Sequence, residues 1–195
     1  MKKEIIPSLL LTIVCIVFFS GIYPAIIWGI AQIVPNKGEG FTVKDSKGKY
    51  YYANIGQKFT DDKYFWSRPS SVNYNVSGPG YSGPGSGGTN KGPDNPDYLV
   101  TVQAAIDTFM KHNPDVKKAD IPSDLVTSSG SGLDPHISVE GAEVQVARIA
   151  KVRGIDKNKV EELVKAHIEG PIWGMGPERV NVLKLNIDLD NLTAK

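Results

Sequence analysis

The stretch IIPSLLLTIVCIVFFSGIYPAIIWGIAQIV, residues 5–34, decides how the rest of the chain is read. It runs for about 30 residues without a charged side chain. As a helix it would extend roughly 45 Å, against a bilayer hydrocarbon core of roughly 30 Å. A water-soluble domain has no use for an uncharged run of that length. The spacing predicts one membrane-spanning helix, buried from about Ile6 to Trp28, with Gly29 to Val34 leaving through the interface. Residues 1–34 are thus an anchor and residues 35–195 a domain on one side of the membrane.

Lys2 and Lys3 precede the run and favour a cytoplasmic N-terminus, which puts the main domain outside. Tyr23 and Trp28 lie near the far end, at headgroup level. A cleaved leader is the competing reading, because Gly29-Ile30-Ala31 has a small-x-small pattern. The apolar part before it exceeds the roughly 7–15 residues of an ordinary leader. Gly21, Ala25 and Gly29 recur at i, i+4 and i+8 and stack on one helix face, where a second helix can approach closely. The ordinary small-residue content of spans gives the same pattern by chance. Pro24 removes a backbone donor and predicts a kink.

The formal net charge is +1. Without Lys2, Lys3 and Glu4 the remainder holds 20 basic and 20 acidic residues. Such balance argues against nucleic acid, and no polybasic run follows the span to suggest anionic lipid. The one cysteine, Cys15, lies within the span, so cysteine offers the outer domain neither disulfide nor metal site.

Beyond the linker Pro35 to Gly40, Phe41 to Ile55 reads as two strands about a turn at Asp45 to Gly48. Phe59 to Pro69 is an aromatic cluster of the kind that packs a core. Ser67 to Asp97 is a long loop dense in Gly and Pro. It lacks the G-x-x-x-x-G-K-[ST] pattern of a phosphate cradle. Val76 to Gly83 faintly suggests a potassium filter, which needs four such loops around one axis. Asn95-Pro96 opens a helix with Leu99, Val102, Ile106, Phe109 and Met110 at helical spacing, and Asn113-Pro114 ends it. Ser138 caps a helix over Val139 to Arg153, with Ala142, Val146, Ile149 and Ala150 inward and Gly154 closing it. Asp156 caps another to about Ile168. Val180 to Leu189 reads as a long final strand, broken in its alternation near Val182 and Leu183. The expected fold is therefore α+β, a sheet covered by about three helices, with the last strand returning to the early ones.

Asp134, His136 and nearby serines are the parts of a nucleophilic triad, but triads assemble by folding rather than adjacency, and no G-x-S-x-G elbow exists. Turn and cap chemistry explains Asp134-Pro135 and Ser138 as well. His112, His136 and His167 have no zinc-type partner at i+3 or i+4, so no metal is expected. Chemistry alone leaves an anchored domain that binds a partner or serves a membrane assembly. An anchored envelope hydrolase and a free ligand-binding domain are the rival readings.

Several loops carry a resemblance. Ile55-Gly56-Gln57-Lys58-Phe59 leads to Tyr64-Phe65-Trp66-Ser67-Arg68-Pro69-Ser70. Tyr74-Asn75 is followed by Ser86-Gly87-Gly88-Thr89-Asn90 and by Gly92-Pro93 to Asn95-Pro96. The most specific block runs from Ile121-Pro122 to Ser138 and contains Ser131, Gly132, Leu133, Asp134, Pro135 and His136. Arg148-Ile149-Ala150, Arg153-Gly154 and Arg179-Val180-Asn181-Val182-Leu183 to Asp190 complete it. In this order the chain resembles the C subunit of the bacterial Kdp potassium-transporting P-type ATPase. Val76 to Gly85 is richer in Gly and Pro than usual for that family, and Pro171 to Pro177 also departs. The resemblance implies a complex in the cytoplasmic membrane. A channel-like subunit conducts potassium, a P-type subunit hydrolyses ATP, and a small F subunit can be present. It implies that the C subunit has no catalytic centre of its own, with ATP used by the complex and potassium as the transported ion; no cofactor is assigned to this chain. Its role is assembly and activity, as a catalytic chaperone that raises the pump subunit's ATP affinity.

Overall fold

In the computed structural model the described residues are 2–77, 83–171 and 174–193. Parts of the two divergent loops, and of the faint filter-like stretch, lie outside them. The chain divides into two units, residues 1–41 and 42–195.

The first unit is helical. Helix α1 (Lys2–Val17) passes through a π-helical turn at Phe18–Ile22 into α2 (Tyr23–Ala31). Pro24 has no N–H, and its ring opposes the carbonyl four residues earlier. The wide turn just before it is how the hydrogen-bond ladder accommodates that loss. Lys3–Ala31, 29 residues, is long and apolar enough to cross a membrane. Two of its hydroxyls are satisfied internally, as hydrocarbon favours: Ser8 donates to the Glu4 carbonyl at 2.7 Å and Thr12 to that of Ser8 at 2.9 Å.

In the second unit β1 (Thr42–Lys44) and β2 (Tyr50–Tyr52) form an antiparallel hairpin. Helix α3 (Pro96–His112) begins where Asn95 accepts from Asp97 N and Tyr98 N, with Pro96 in the first turn. Val102 and Ile106 are half-buried and Phe109 buried on its inner side, whereas Leu99 stays exposed. After β3 (His136–Ile137), Ser138 caps α4 (Val139–Glu143) by accepting from Gly141 N. The single helix expected to Arg153 is divided: α5 occupies Val146–Arg153. At the join Gln145 N turns to the Ala142 carbonyl at 3.1 Å, a tighter i to i−3 bond. Gly154 closes α5 at φ +65°, and Asp156 caps α6 (Lys157–Ala166). Then come β4 (Ile168–Glu169), β5 (Arg179–Asn181) and α7 (Val182–Thr193).

Here the structure corrects the sequence reading. The expected strand Val180 to Leu189 is a three-residue strand followed by a helix. The break at Val182 and Leu183 marks the change of period. Val182, Leu183, Leu185, Asn186 and Leu189 are all buried, at helical spacing. Asn181 starts the helix by accepting from Lys184 N at 3.1 Å. No long strand returns to β1 and β2. Instead β5 lies between β3 and β4, antiparallel to both, and the hairpin stands as a separate sheet. The fold remains α+β, with more helix and shorter strands than expected.

The core gathers Phe65, Phe109, Ile149, Val160, Leu185 and Leu189. Asn186 ties the aromatic segment to α7. Its side chain accepts from Phe65 N and donates to the Phe65 carbonyl, both at 2.9 Å. That pairing satisfies a buried backbone where no strand neighbour exists.

Candidate functional site: a strapped loop beside a charged cleft

The segment Ser131 to His136 straps four distant parts of the chain together. The Ser131 carbonyl accepts from Gly87 N at 2.8 Å and from Ser86 Oγ at 2.9 Å. The Gly132 carbonyl accepts from Ser70 Oγ at 2.6 Å. The Leu133 carbonyl accepts from Gly56 N at 2.8 Å, and that of Pro135 from Val182 N at 2.9 Å. These are mainly backbone bonds, so side-chain chemistry is not what the loop spends its backbone on.

Beside it the chain makes a left-handed turn. Asn73, Tyr74 and Asn75 have φ of 51°, 52° and 56°. Each non-glycine residue in that region costs roughly 1–2 kcal/mol. Ser70 Oγ offsets part of this by accepting from Tyr74 N at 3.0 Å, and the Tyr74 hydroxyl donates to the Arg68 carbonyl at 2.8 Å. Burial pushes the Tyr74 hydroxyl up to about 12, so it stays a neutral donor. Strain held by this many bonds is a sign of a surface kept in one shape.

A cleft of ≈690 Å³ opens next to the strap, lined in part by Arg68, Asp134, His136, Ser138 and Arg179. Arg68 donates to Asp134 Oδ2 at 2.9 Å, while Asp134 Oδ1 accepts from His136 N at 3.0 Å. His136 Nε2 lies 3.2 Å from Glu169 Oε2. Burial draws the His136 imidazole below its ordinary pKa, against the pull of Glu169, and favours its neutral form. Glu169 also receives Lys184 Nζ at 2.7 Å, with Arg179 Nε 3.7 Å away. Burial works to raise the Glu169 carboxyl, but Lys184 and His136 together outweigh it and hold it below the usual range.

Of the triad parts, Asp134 and His136 are neighbours, with His136 Nδ1 3.8 Å from Asp134 Oδ1, but Ser138 is not joined to them. Ser138 Oγ donates to Asp124 Oδ1 at 3.0 Å and caps α4, whereas His136 turns to Glu169. The other two histidines also face carboxylates: His112 Nδ1 is 2.8 Å from Asp62 and His167 Nε2 is 2.9 Å from Asp188. Among the described residues, no three His, Cys, Asp or Glu side chains are grouped to hold a metal. In the first unit, Ala25 and Gly29 lie in α2 and Gly21 in the π turn. A methyl group added at Gly21 or Gly29 would meet nothing within 4 Å.

Sequence reasoning missed Glu169, which meets His136 and Lys184 at hydrogen-bond distance and has Arg179 nearby, and the clamping roles of Ser70 and Gly56. Glu169 follows His167 in a segment with no motif, so only its pairing across β5 places it beside His136.

Comparison with known proteins supplies the context. The family model described as "K+-transporting ATPase, c chain" matches residues 5–191. A potassium-transporting ATPase KdpC subunit of Flavobacterium psychrophilum is 50% identical over 190 residues, 97% of this chain and 99% of the relative. The protein of the same name in Bacteroides thetaiotaomicron is 48% identical over 191 residues, 96% and 98% of the two chains. That of Geobacter metallireducens is 45% identical over 193 residues, 97% and 98%. The matched region takes in the apolar helix, the strap and α7, and the chain belongs to the family of the K+-transporting ATPase c chain.

Proposed function

We propose that this chain is a non-catalytic, membrane-anchored subunit of an ATP-driven potassium import complex. The observation that carries the reading is the family match over residues 5–191, helix included. The strap fits it: its backbone carbonyls hold four distant parts of the chain together. On this reading the partners are a potassium-conducting channel-like subunit, a P-type ATPase subunit and, where present, a small F subunit. Gly21, Ala25 and Gly29 are the helix-packing positions against one of them. Gentle detergent extraction and affinity capture test it. Two large membrane subunits and potassium-stimulated ATP hydrolysis should be recovered with the chain; recovery of the chain alone, without such activity, would refute the proposal.

On this reading Lys2 and Lys3 favour an N-terminus inside and the second unit outside. A domain outside cannot touch cytoplasmic ATP. The chaperone effect on ATP affinity then acts by favouring one assembled conformation of the pump, through differential binding to its states. The topology has a direct measurement. In a Cys15→Ser background, Lys159→Cys on the exposed side of α6 should react with an impermeant maleimide in spheroplasts. Reaction only after lysis would reverse the orientation.

A further inference from the structure

Among the described residues, the β1–β2 hairpin leaves one face exposed. Its register pairs Thr42 with Tyr52 and Lys44 with Tyr50, so these four side chains share a face. All four are exposed, Tyr50 at 65% and Tyr52 at 51%. Val43 and Tyr51, on the opposite face, are half-buried. Lys44 Nζ sits 5.4 Å from the centre of the Tyr50 ring, a cation beside an aromatic face.

The turn makes the hairpin tip cationic. Asp45 is the one carboxylate between Thr42 and Tyr52, and it is taken up by the turn's backbone. It accepts from Lys47 N and Lys49 N, both at 2.9 Å. Lys44, Lys47 and Lys49 are all exposed around it. Spaced along the sequence they form no basic run; folding brings them to one turn.

Position in the chain then matters. Residues 32–41 separate the end of α2 from the start of β1. Fully extended, ten residues reach at most roughly 35 Å. We propose that the hairpin lies in the headgroup layer of the membrane that the N-terminal helix crosses. Tyr50 and Tyr52 have apolar rings and polar tips, the side-chain type that favours this layer. Lys44, on the tyrosine face, and Lys47, in the turn, face lipid phosphates, with which their charge is complementary, while Lys49 Nζ lies 4.8 Å from the centre of the Tyr51 ring on the other face and adds positive charge at the tip. This inference rests on the helix being a retained span.

Spin labels on the full chain in nanodiscs of phosphatidylcholine and phosphatidylglycerol test both statements separately. Collisions with oxygen report lipid, and collisions with a water-soluble nickel chelate report solvent. Native Cys15 reads the helix. In a Cys15→Ser background, Thr42→Cys reads the hairpin face with both tyrosines intact, and Lys159→Cys is the aqueous control. The expected oxygen-to-nickel ratio at position 42 is several-fold above that at position 159. Adding Lys44→Glu, Lys47→Glu and Lys49→Glu should bring it down to the control. A lipid-like ratio at Cys15 with a water-like ratio at position 42 overturns the hairpin inference alone. A water-like ratio at Cys15 overturns the span and this inference with it. Shielding of position 42 from both reagents means a protein covers the face, and also overturns the inference.

Discussion

Replacing Arg148 with methionine should lower the thermal midpoint of the second unit by roughly 6–20 °C. Arg148 is only 7% exposed and is held on every side. Its Nε donates to Asn113 Oδ1 at 2.9 Å and its Nη2 to Gln145 Oε1 at 2.7 Å. Its Nη1 serves the carbonyls of Asp62 and Tyr64, the latter at 3.0 Å. The guanidinium plane also lies over Trp66, 4.9 Å from the ring centre. One side chain thus joins α5, the end of α3 and the aromatic segment 62–66. Burial pulls its pKa down to about 10, against the opposing charges of Asp62 and Asp61, so it is still a cation near neutrality. Methionine fills much of the volume but leaves Asn113 Oδ1 and the carbonyls of Asp62 and Tyr64 without the Arg148 donor, while Gln145 Oε1 keeps only Trp66 N. Stranding buried polar groups of this kind costs on the order of 3–5 kcal/mol. At roughly 2–4 °C per kcal/mol for a domain of this size, that is a large shift. Arg148→Lys should recover little, because an ammonium cannot fork toward Asn113 and Gln145 together. Circular dichroism of the full chain in detergent gives the readout. A midpoint within about 2 °C of wild type for Arg148→Met would show that the fork is not what holds these segments.

None of that network could be read from the sequence, although Arg148 stands in a recognisable block. The helix ends could be read, since a cap is local chemistry: Asn95, Ser138, Asp156 and Gly154 all stand where the pattern put them. The core face of α4 and α5 was equally legible, although the division between them was not, because Ala142, Val146, Ile149 and Ala150 need only a period of 3.6. The C-terminal segment was misread for a specific reason. Its period changes from two to 3.6 within an apolar run, and no glycine or proline marks the change. The signal present was Asn181, a capping residue inside that run, followed by Leu185, Asn186 and Leu189 at helical steps. The strap was visible as a motif. Its partners Ser70, Gly56 and Gly87 were not, because contacts across 44 to 77 residues are set by packing rather than by local pattern.

Gly132→Ala should then do far more damage than Gly130→Ala, two residues away in the same loop. Gly132 has φ +66°, and a β-carbon there would lie 2.6 Å from Val72 Cγ2 and 2.8 Å from the Gly87 carbonyl oxygen. The left-handed backbone costs alanine roughly 1–2 kcal/mol. Crowding a packed site costs about 1–3 kcal/mol more. Val72 can rotate, but the Gly87 carbonyl cannot retreat freely: it accepts from Ser71 Oγ, and Gly87 N is tied to the Ser131 carbonyl at 2.8 Å. The way out is for the strap to lift, which gives up the Ser70 Oγ bond to the Gly132 carbonyl and loosens the left-handed turn that Ser70 steadies. A β-carbon at Gly130 meets nothing within 4 Å. The expected result is a midpoint several degrees lower for Gly132→Ala, with faster amide exchange at Gly87 and Tyr74, and near-wild-type behaviour for Gly130→Ala. If loops 70–76 and 131–136 hold the surface that meets the partner subunits, Gly132→Ala should also reduce their recovery in affinity capture while the membrane helix still inserts. Equal exchange rates in the two variants would mean that the strap is not under the close packing described, and that the left-handed turn is held by something other than Ser70.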